Sequence, residues 1–487
     1  MWTNNDTRVI KALEKKWNAS GMIEIFHQDT SLYKSFFGYS NRVESKKTQA
    51  NDTYLLNRRS RLLQAIVILQ LIDQKRLKLN DSIAKYIPEY PIGKGITIYH
   101  LLMNESGIPD YYYGSIMLQK NTSESHQKMT EQERYINESQ MFYQPISFEE
   151  VLTHIKDQVL FKAGTKDYWS STNAYFLEVI IKRVYDMDYN EVLAKEVFKP
   201  LAMFDTTPGH HATTHSYVCM RDVNLIKADY IGDERIVWTT TLNDICKLMH
   251  GLRGRKWVSK ALWKTALEPN ERGDAIICAY RNGMEYYESD VLGYHVDMYI
   301  DPSSKVSFVH VSNESPMFRL IEGNWVNFHT YLRQHIELLF AKPIAPYLDH
   351  YHQRNAWDVM QLSIEDSQKE FVIEPKTALC WAYSEPKEKQ SYVLMEGYRS
   401  IGYMMLAIDV EKEIYAIDVL IVDKRYQNRG YGKIMLNKGL DILKEAGAKK
   451  IEIVVNKFNI PAYKMYRALG FKETGLYEAG VRLTKYL

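Results

Sequence analysis

Residues 416–433, AIDVLIVDKRYQNRGYGK, run from a hydrophobic strand through a short polar turn into the glycine-bearing start of a helix. Such a connection gathers backbone N–H groups at a helix N-terminus, where the helix dipole favours anionic oxygens. Gly430 and Gly432 let a ligand approach the backbone closely, although glycines here also suit an ordinary strand-to-helix turn. The stretch is no P-loop, because GxxxxGK[ST] is absent, and its glycine spacing is wrong for a dinucleotide fingerprint. Downstream, IEIVV (451–455) reads as the next strand, and NIPAYKMYRALGFKETG (459–475) follows it with Tyr466 on a helix face beside Met465 and Leu469.

In this order, Gln427-x-x-Gly430-x-Gly432 after a hydrophobic strand, a second strand, and Asn459-x-x-Ala462-x-x-x-Tyr466-x-x-x-Gly470-Phe471 resemble the GNAT acetyltransferase superfamily. The resemblance implies an α/β GNAT fold with a mixed sheet and acetyl-CoA as co-substrate. Leu420, Ile421 and Val422 would offer strand backbone to the acetyl and pantetheine amides. Gln427, Asn428, Arg429, Gly430, Tyr431, Gly432 and Lys433 would surround the pyrophosphate, and Asn459 would touch the cofactor arm. Tyr466 would protonate the departing thiolate, which suits a phenol with an ordinary pKa near ~10; its other reading is packing beside Met465 and Leu469. An attacking amine must shed a proton, and Asp418 is the candidate base, with a structural or substrate-docking role as the alternative. Leu362–Ala382 and the strand before the turn are most similar to the branch that acetylates spermine, spermidine and diamines. That branch has Asp-Arg where this chain has Asp418-Val419. The acceptor is therefore expected to be a polyamine or another small primary amine, with aminoglycoside-like amines and protein amino termini as alternatives.

Earlier in the chain, NRRSRLLQAIVILQLIDQKRLKLNDSIAKYIPEYP (57–91) is apolar nearly all round from Leu62 to Leu71, which predicts a buried helix ended by Lys78–Asp81. GITIYHLLMNESGIPDY (95–111) predicts a brief helix and a Gly-Pro turn. FKAGTKDYWSSTNAYFLEVIIKRVYD (161–186) predicts a second buried helix from about Thr172. YHVDMYIDPSSKVSFVHVSN (294–313) predicts a hairpin around DPSS. With FKPLAMFDTT (198–207) and TTTLNDICKLM (239–249), these segments resemble the serine β-lactamase and penicillin-binding-protein superfamily, nearest its class C and esterase-like branch. The implied fold is α+β, an antiparallel sheet with a helical subdomain.

That chemistry requires a serine with a lysine one helical turn later. Alignment puts Arg58 at the serine and Arg61 at the lysine, and a guanidinium is neither nucleophile nor base. The Tyr-Ser-Asn triplet falls on Trp169, Ser170 and Ser171, and the final His/Lys-x-Gly element is missing from YYESDVLGY (286–294). A pseudo-hydrolase is expected, with Arg58 and Arg61 in internal ion pairs; a bound carboxylate is the rival reading. Two displaced nucleophiles remain as alternatives. Ser60 is followed at one turn by Leu63, and Ser31 of SLYK (31–34) stands in an expected strand.

With 487 residues, 45% hydrophobic and 25% charged, the chain suits two or three folded domains. AKPIAPYLDHYHQRN (341–355) marks the seam, giving a β-lactamase-like domain at 1–342 and a GNAT domain at 343–487. A net charge of +2 with interspersed signs argues against a nucleic-acid partner. Scattered cysteines, no HExxH, and DHYHQR (349–354) read as a solvated linker leave no metal site and no disulfide framework. The N-terminus lacks a secretory pattern, and Leu62–Ile72 is too short for a membrane span, so a cytoplasmic protein without membrane association is expected. GNAT units often dimerise, which leaves a homo-oligomer open. The rival functions are a binding or sensing protein with a cell-wall-peptide-like pocket, and a serine hydrolase with a displaced nucleophile.

Overall fold

The computed structural model describes residues 4–112, 128–142, 144–155, 158–219, 225–230, 232–270, 272–281, 284–321, 324–340, 345–351, 353–396, 399–477 and 480–487. The chain forms two compact units. One comprises Met1–Pro269, Asp274–Ala279 and Glu285–Ala341; the other comprises Lys342–Leu487 with Asn270–Gly273 and Tyr280–Met284.

The first unit is built on a six-stranded sheet. Its strands lie in the order Ala279–Arg281, Met284–Val291, Tyr294–Ile300, Val306–Ser312, Gly21–His27 and Thr30–Phe37. The expected hairpin forms with an antiparallel register, His295 opposite Ser312 and Asp297 opposite His310. Both its strands are buried along their whole length, so neither sheet face is open to water there. Leu242–Arg253 packs against this sheet. Phe328 of the helix Phe328–Phe340 meets Phe37 and His310 on it, with ring centroids 6.1 and 5.5 Å away.

The helix Arg61–Asp73 is buried at every position from Leu62 to Leu71, as its lack of a polar face requires, and it packs on Ser171–Tyr185. It stops at Asp73, sooner than expected, because Lys75 turns into the left-handed region at φ 60°. Ser31 and Lys34 lie on the edge strand Thr30–Phe37, both bonded to Glu24 at 2.8 Å, so SLYK does not open a helix.

The second unit is a seven-stranded mixed sheet ordered Tyr347–His350, Lys389–Glu396, Arg399–Asp409, Ile414–Val422, Lys450–Asn456, Gly480–Tyr486, Lys472–Tyr477. Its apolar core joins Val419 and Ile421 to Val393, Tyr403 and Met405 on neighbouring strands, and to Val359 and Ala378 on helices. The linker reading of DHYHQR is corrected: Tyr347–His350 is an edge strand, Tyr347 opposite Met395 and His350 opposite Tyr392, and a polar sequence suits an edge. His352 lies outside the described residues.

Cys246, Cys278 and Cys380 are unpaired thiols, and the Cys219 side chain lies outside the described residues. Among the described residues, no helix is long and apolar enough to cross a membrane.

Candidate functional site

The strands Ile414–Val422 and Lys450–Asn456 run parallel but meet at a single pair, Ala416 opposite Glu452. Beyond it they splay, and a cleft of about 830 Å³ opens between them. A strand that leaves its neighbour inside a sheet exposes backbone N–H and C=O groups to an extended ligand. Leu420, Ile421 and Val422 line this stretch. The Ile421 side chain packs into the core, so this residue offers the cleft its backbone.

At one end the cleft meets the helix Tyr431–Glu445, whose N-cap Gly430 adopts φ 85°. A Cβ there would meet no atom within 4 Å, so backbone conformation, not space, calls for glycine. No side chain caps this helix and no acidic residue stands in its first turn, leaving the positive end of the dipole to a ligand. Asn428, Tyr431, Gly432 and Lys433 join Gly430 in the lining; Arg429 does not, and its guanidinium lies 5.8 Å from the Tyr426 ring centroid.

Gln427 also lines the cleft, but its amide works as a brace. Its Nε2 donates to the Val422 carbonyl and to Gln368 Oε1, both at 2.9 Å. Asn459 lines the cleft while its Oδ1 accepts the Ala462 N–H at 3.3 Å, capping the helix Ile460–Ala468.

On that helix, Tyr466 borders the cleft and is 7% exposed. Among the described residues its hydroxyl has no hydrogen-bond partner, and burial pushes its pKa up to about 12. Asp418 also lines the cleft. It falls at a register shift between Ile417 and Val419, which pair with Leu406 and Met405, so a bulge re-aims its side chain. Its Oδ2 lies 2.6 Å from Lys389 Nζ, which sits 4.6 Å over the Trp381 ring. Sequence reasoning missed Lys389, Trp381, Glu452 and Arg482 in this lining, because they lie far from the motif in the chain. It also missed Asp423, which is fully buried. Asp423 accepts the Ser363 and Arg425 N–H groups at 2.9 Å each and so fixes the turn before the glycine loop.

In the first unit, Arg58 and Arg59 both grip Glu178, at 2.8 and 2.6 Å. Arg61 lies apart, 4.0 Å from Asp274. The internal pairing expected for the two arginines is seen for Arg58, whereas Arg61 and Asp274 are both partly exposed. Ser60 Oγ is buried without a hydrogen-bond partner among the described residues, and Leu63 follows it. Ser171 is tied to Asp110 at 2.6 Å and Ser170 to the Pro109 carbonyl at 3.3 Å. In YYESDVLGY, Tyr287 donates to Glu285 at 2.7 Å and Ser289 accepts the Asn57 N–H at 3.0 Å. No serine–lysine pair stands at this place among the described residues.

Comparisons with known proteins agree with both halves. Residues 7–330 match the beta-lactamase family, and residues 356–471 match the acetyltransferase (GNAT) family. Penicillin-binding protein 4* of Bacillus subtilis is 24% identical over 201 residues, 41% of this chain and 40% of that protein. Protein flp of Staphylococcus aureus is 25% identical over 207 residues, 42% of this chain and 37% of that protein. The chain thus spans about two fifths of the length of these curated relatives. A penicillin-binding protein from Bacillus halodurans shares the fold with TM-score 0.54 and 16% identity, over 68% of this chain and 99% of that one. An octameric penicillin-binding protein homologue from Pyrococcus abyssi does so with TM-score 0.54 and 16% identity, over 84% and 97%. By the match that covers most of its length, the chain belongs to the beta-lactamase family, and it carries a GNAT acetyltransferase domain after that fold.

Proposed function

We propose that the protein is an acetyl-CoA-dependent N-acetyltransferase acting on a small primary amine by direct attack, and that its β-lactamase-like unit is not catalytic. One observation carries this reading: a single cleft runs from an uncapped helix N-terminus, along an unpaired strand edge, to a buried tyrosine. That sequence of features suits a pyrophosphate, an amide-bearing arm and a thioester in turn.

In this reading Gly430, Gly432 and Lys433 hold the pyrophosphate, and Leu420 to Val422 hold the arm in extended form by backbone hydrogen bonds. Fixing both reactants in one cleft supplies most of the rate advantage of an intramolecular reaction. The amine adds to the acetyl carbonyl carbon, the C–S bond breaks, and Tyr466 gives its proton to the departing sulfur. Asp418 takes the first proton of the incoming ammonium, directly or through water, while Lys389 orients the carboxylate; the second proton leaves nitrogen as the amide forms and returns through water to the Tyr466 phenolate. The cleft offers the carboxylates Asp418 and Glu452 against the cations Lys389, Lys433 and Arg482. An amine with one positive charge and an apolar body fits that balance better than a polyamine, which is the acceptor implied by the sequence resemblance. An acetyl-CoA-dependent reaction belongs in the cytoplasm. The octameric state of the Pyrococcus abyssi homologue makes light scattering on this chain worthwhile.

The test is thiol release from acetyl-CoA by the full-length protein against spermine, spermidine, monoamines with apolar bodies, aminoglycosides and amino acids. Release that depends on one amine supports the transferase and names its acceptor class. Acetyl-CoA binding with no release on any amine would favour the sensing alternative.

A further inference from the structure

On the strand Tyr294–Ile300, His295 and Asp297 stand two residues apart and therefore face the same side. Asp297 is paired in register with His310 on the next strand, and His329 reaches the same spot from the helix Phe328–Phe340. His295 Nε2 lies 2.6 Å from Asp297 Oδ1, His329 Nδ1 lies 3.3 Å from Oδ2, and His310 Nδ1 lies 3.6 Å from Oδ2. The Asp297 side chain is 1% exposed and none of the three histidines exceeds 8%.

Despite this crowding, both Asp297 oxygens and the Nε2 atoms of all three histidines lack a correctly directed hydrogen bond. Buried polar atoms are rarely left so, because each uncompensated one costs stability. His329 Nδ1 and His310 Nδ1 do share a hydrogen bond at 3.1 Å, but Asp297 receives none among the described residues, and a carboxylate converging with imidazoles in a dry site is the donor set of a borderline transition ion. Ligand atoms of His295, Asp297 and His329 already lie within 4.8 Å of one another. Tetrahedral bonds of 2.0–2.1 Å place ligands about 3.4 Å apart, a contraction within reach of side-chain rotation.

The cluster is separate from the old hydrolase pocket. Along Met284–Val291, Ser289 points to Asn57, whereas Asp290 stands opposite His295 and so faces the other side of the sheet. Asp290 contacts His295 Nδ1, the far nitrogen of that ring, as an outer carboxylate does when it orients a metal-binding histidine. Asp290 is 57% exposed and marks the side from which an ion would enter. The sequence shows no metal motif here because the ligands come from three segments with unremarkable spacing.

We propose that His295, Asp297 and His329 bind one divalent transition ion of the zinc class, with His310 and Asp290 orienting the ligands. The ion ties the helix Phe328–Phe340 to the central sheet and is structural.

The test is metal content. Full-length protein stripped with chelator is reloaded with Zn²⁺, passed through gel filtration, and assayed by elemental analysis; Co²⁺ is titrated in parallel and followed by its visible absorption. One Zn²⁺ per chain, lost in both His329→Gln and His295→Asn with circular dichroism unchanged, is the expected result. His310→Gln should retain the ion about 10-fold or more weakly. Less than a tenth of an equivalent in the wild-type protein would overturn the proposal, and so would equal binding in folded His329→Gln. Because the wild-type stoichiometry needs no variant, misfolding of a variant does not blunt the test.

Discussion

Tyr466 is a phenol kept protonated by burial, and that is the state a general acid must hold before the thiolate leaves. Its folded pKa of about 12 lies above the ordinary value of 10. Its contribution to folding is therefore full below pH 10 and is lost as pH rises toward 12. Ionisation of this residue accordingly imposes no alkaline limb on turnover between pH 8 and 10. In Tyr466→Phe, kcat should fall about 10²–10⁴-fold while the acetyl-CoA Kd from calorimetry changes by less than about twofold; unchanged kcat would reduce Tyr466 to a packing residue. Asp418→Asn should lower kcat and alter the acid limb of the pH–rate profile, and a wild-type profile would leave Asp418 with only its bond to Lys389. In the first unit, Glu178 is bonded to two adjacent guanidiniums, Arg58 and Arg59. Glu178→Gln strands both charges in a buried place and should cost about 3–5 kcal/mol in denaturant unfolding. Restoring stability by replacing Arg58 and Arg59 with methionine in the same chain would show that charge, not shape, is at stake.

Secondary structure was legible wherever local chemistry decides it. The all-round apolar run Leu62–Leu71 reads as a buried helix, and the helix Tyr431–Glu445 starts in the glycine-bearing stretch, right after Gly430. What the sequence hides is set by strand pairing over long separations. The bulge at Asp418, the splay after Ala416, and the seating of Lys389 against Asp418 all depend on register between segments that carry no local mark. DHYHQR misleads for the same reason: an edge strand is defined by its partner's backbone, and its own side chains need not alternate. The glycine loop gives a prediction at this scale. Alanine at 430 must adopt a left-handed conformation costing about 1–2 kcal/mol, or else move the start of the helix. Gly430→Ala should weaken acetyl-CoA binding about tenfold by calorimetry and lower the melting temperature by only a few degrees, the conformational cost alone, since its Cβ meets nothing in the fold. Unaltered affinity would argue that the loop does not hold the pyrophosphate.

Across the whole chain, one unit has the beta-lactamase family fold with arginines at the positions aligned with that family's serine and lysine, and the other carries a GNAT motif. A buried ion-pair network occupies the first of those positions. Two arginines at the head of the helix Arg61–Asp73 need a carboxylate, and Glu178 supplies it from the neighbouring helix Ser171–Tyr185. If the first unit is not catalytic, as proposed, it should form no covalent adduct, whereas a displaced nucleophile would form one whatever the residue's name. Ser60 tests this sharply: its hydroxyl is buried and has no hydrogen-bond partner among the described residues, with leucine where an amine would be required. Full-length protein incubated with a fluorescent penicillin and with a fluorophosphonate should therefore show no mass increase and no labelled band, while still releasing thiol from acetyl-CoA with its amine. A stoichiometric adduct mapped to Ser60 or Ser31 would restore hydrolase chemistry to the first unit. An adduct together with intact acetyl transfer would make the chain an enzyme with two active centres.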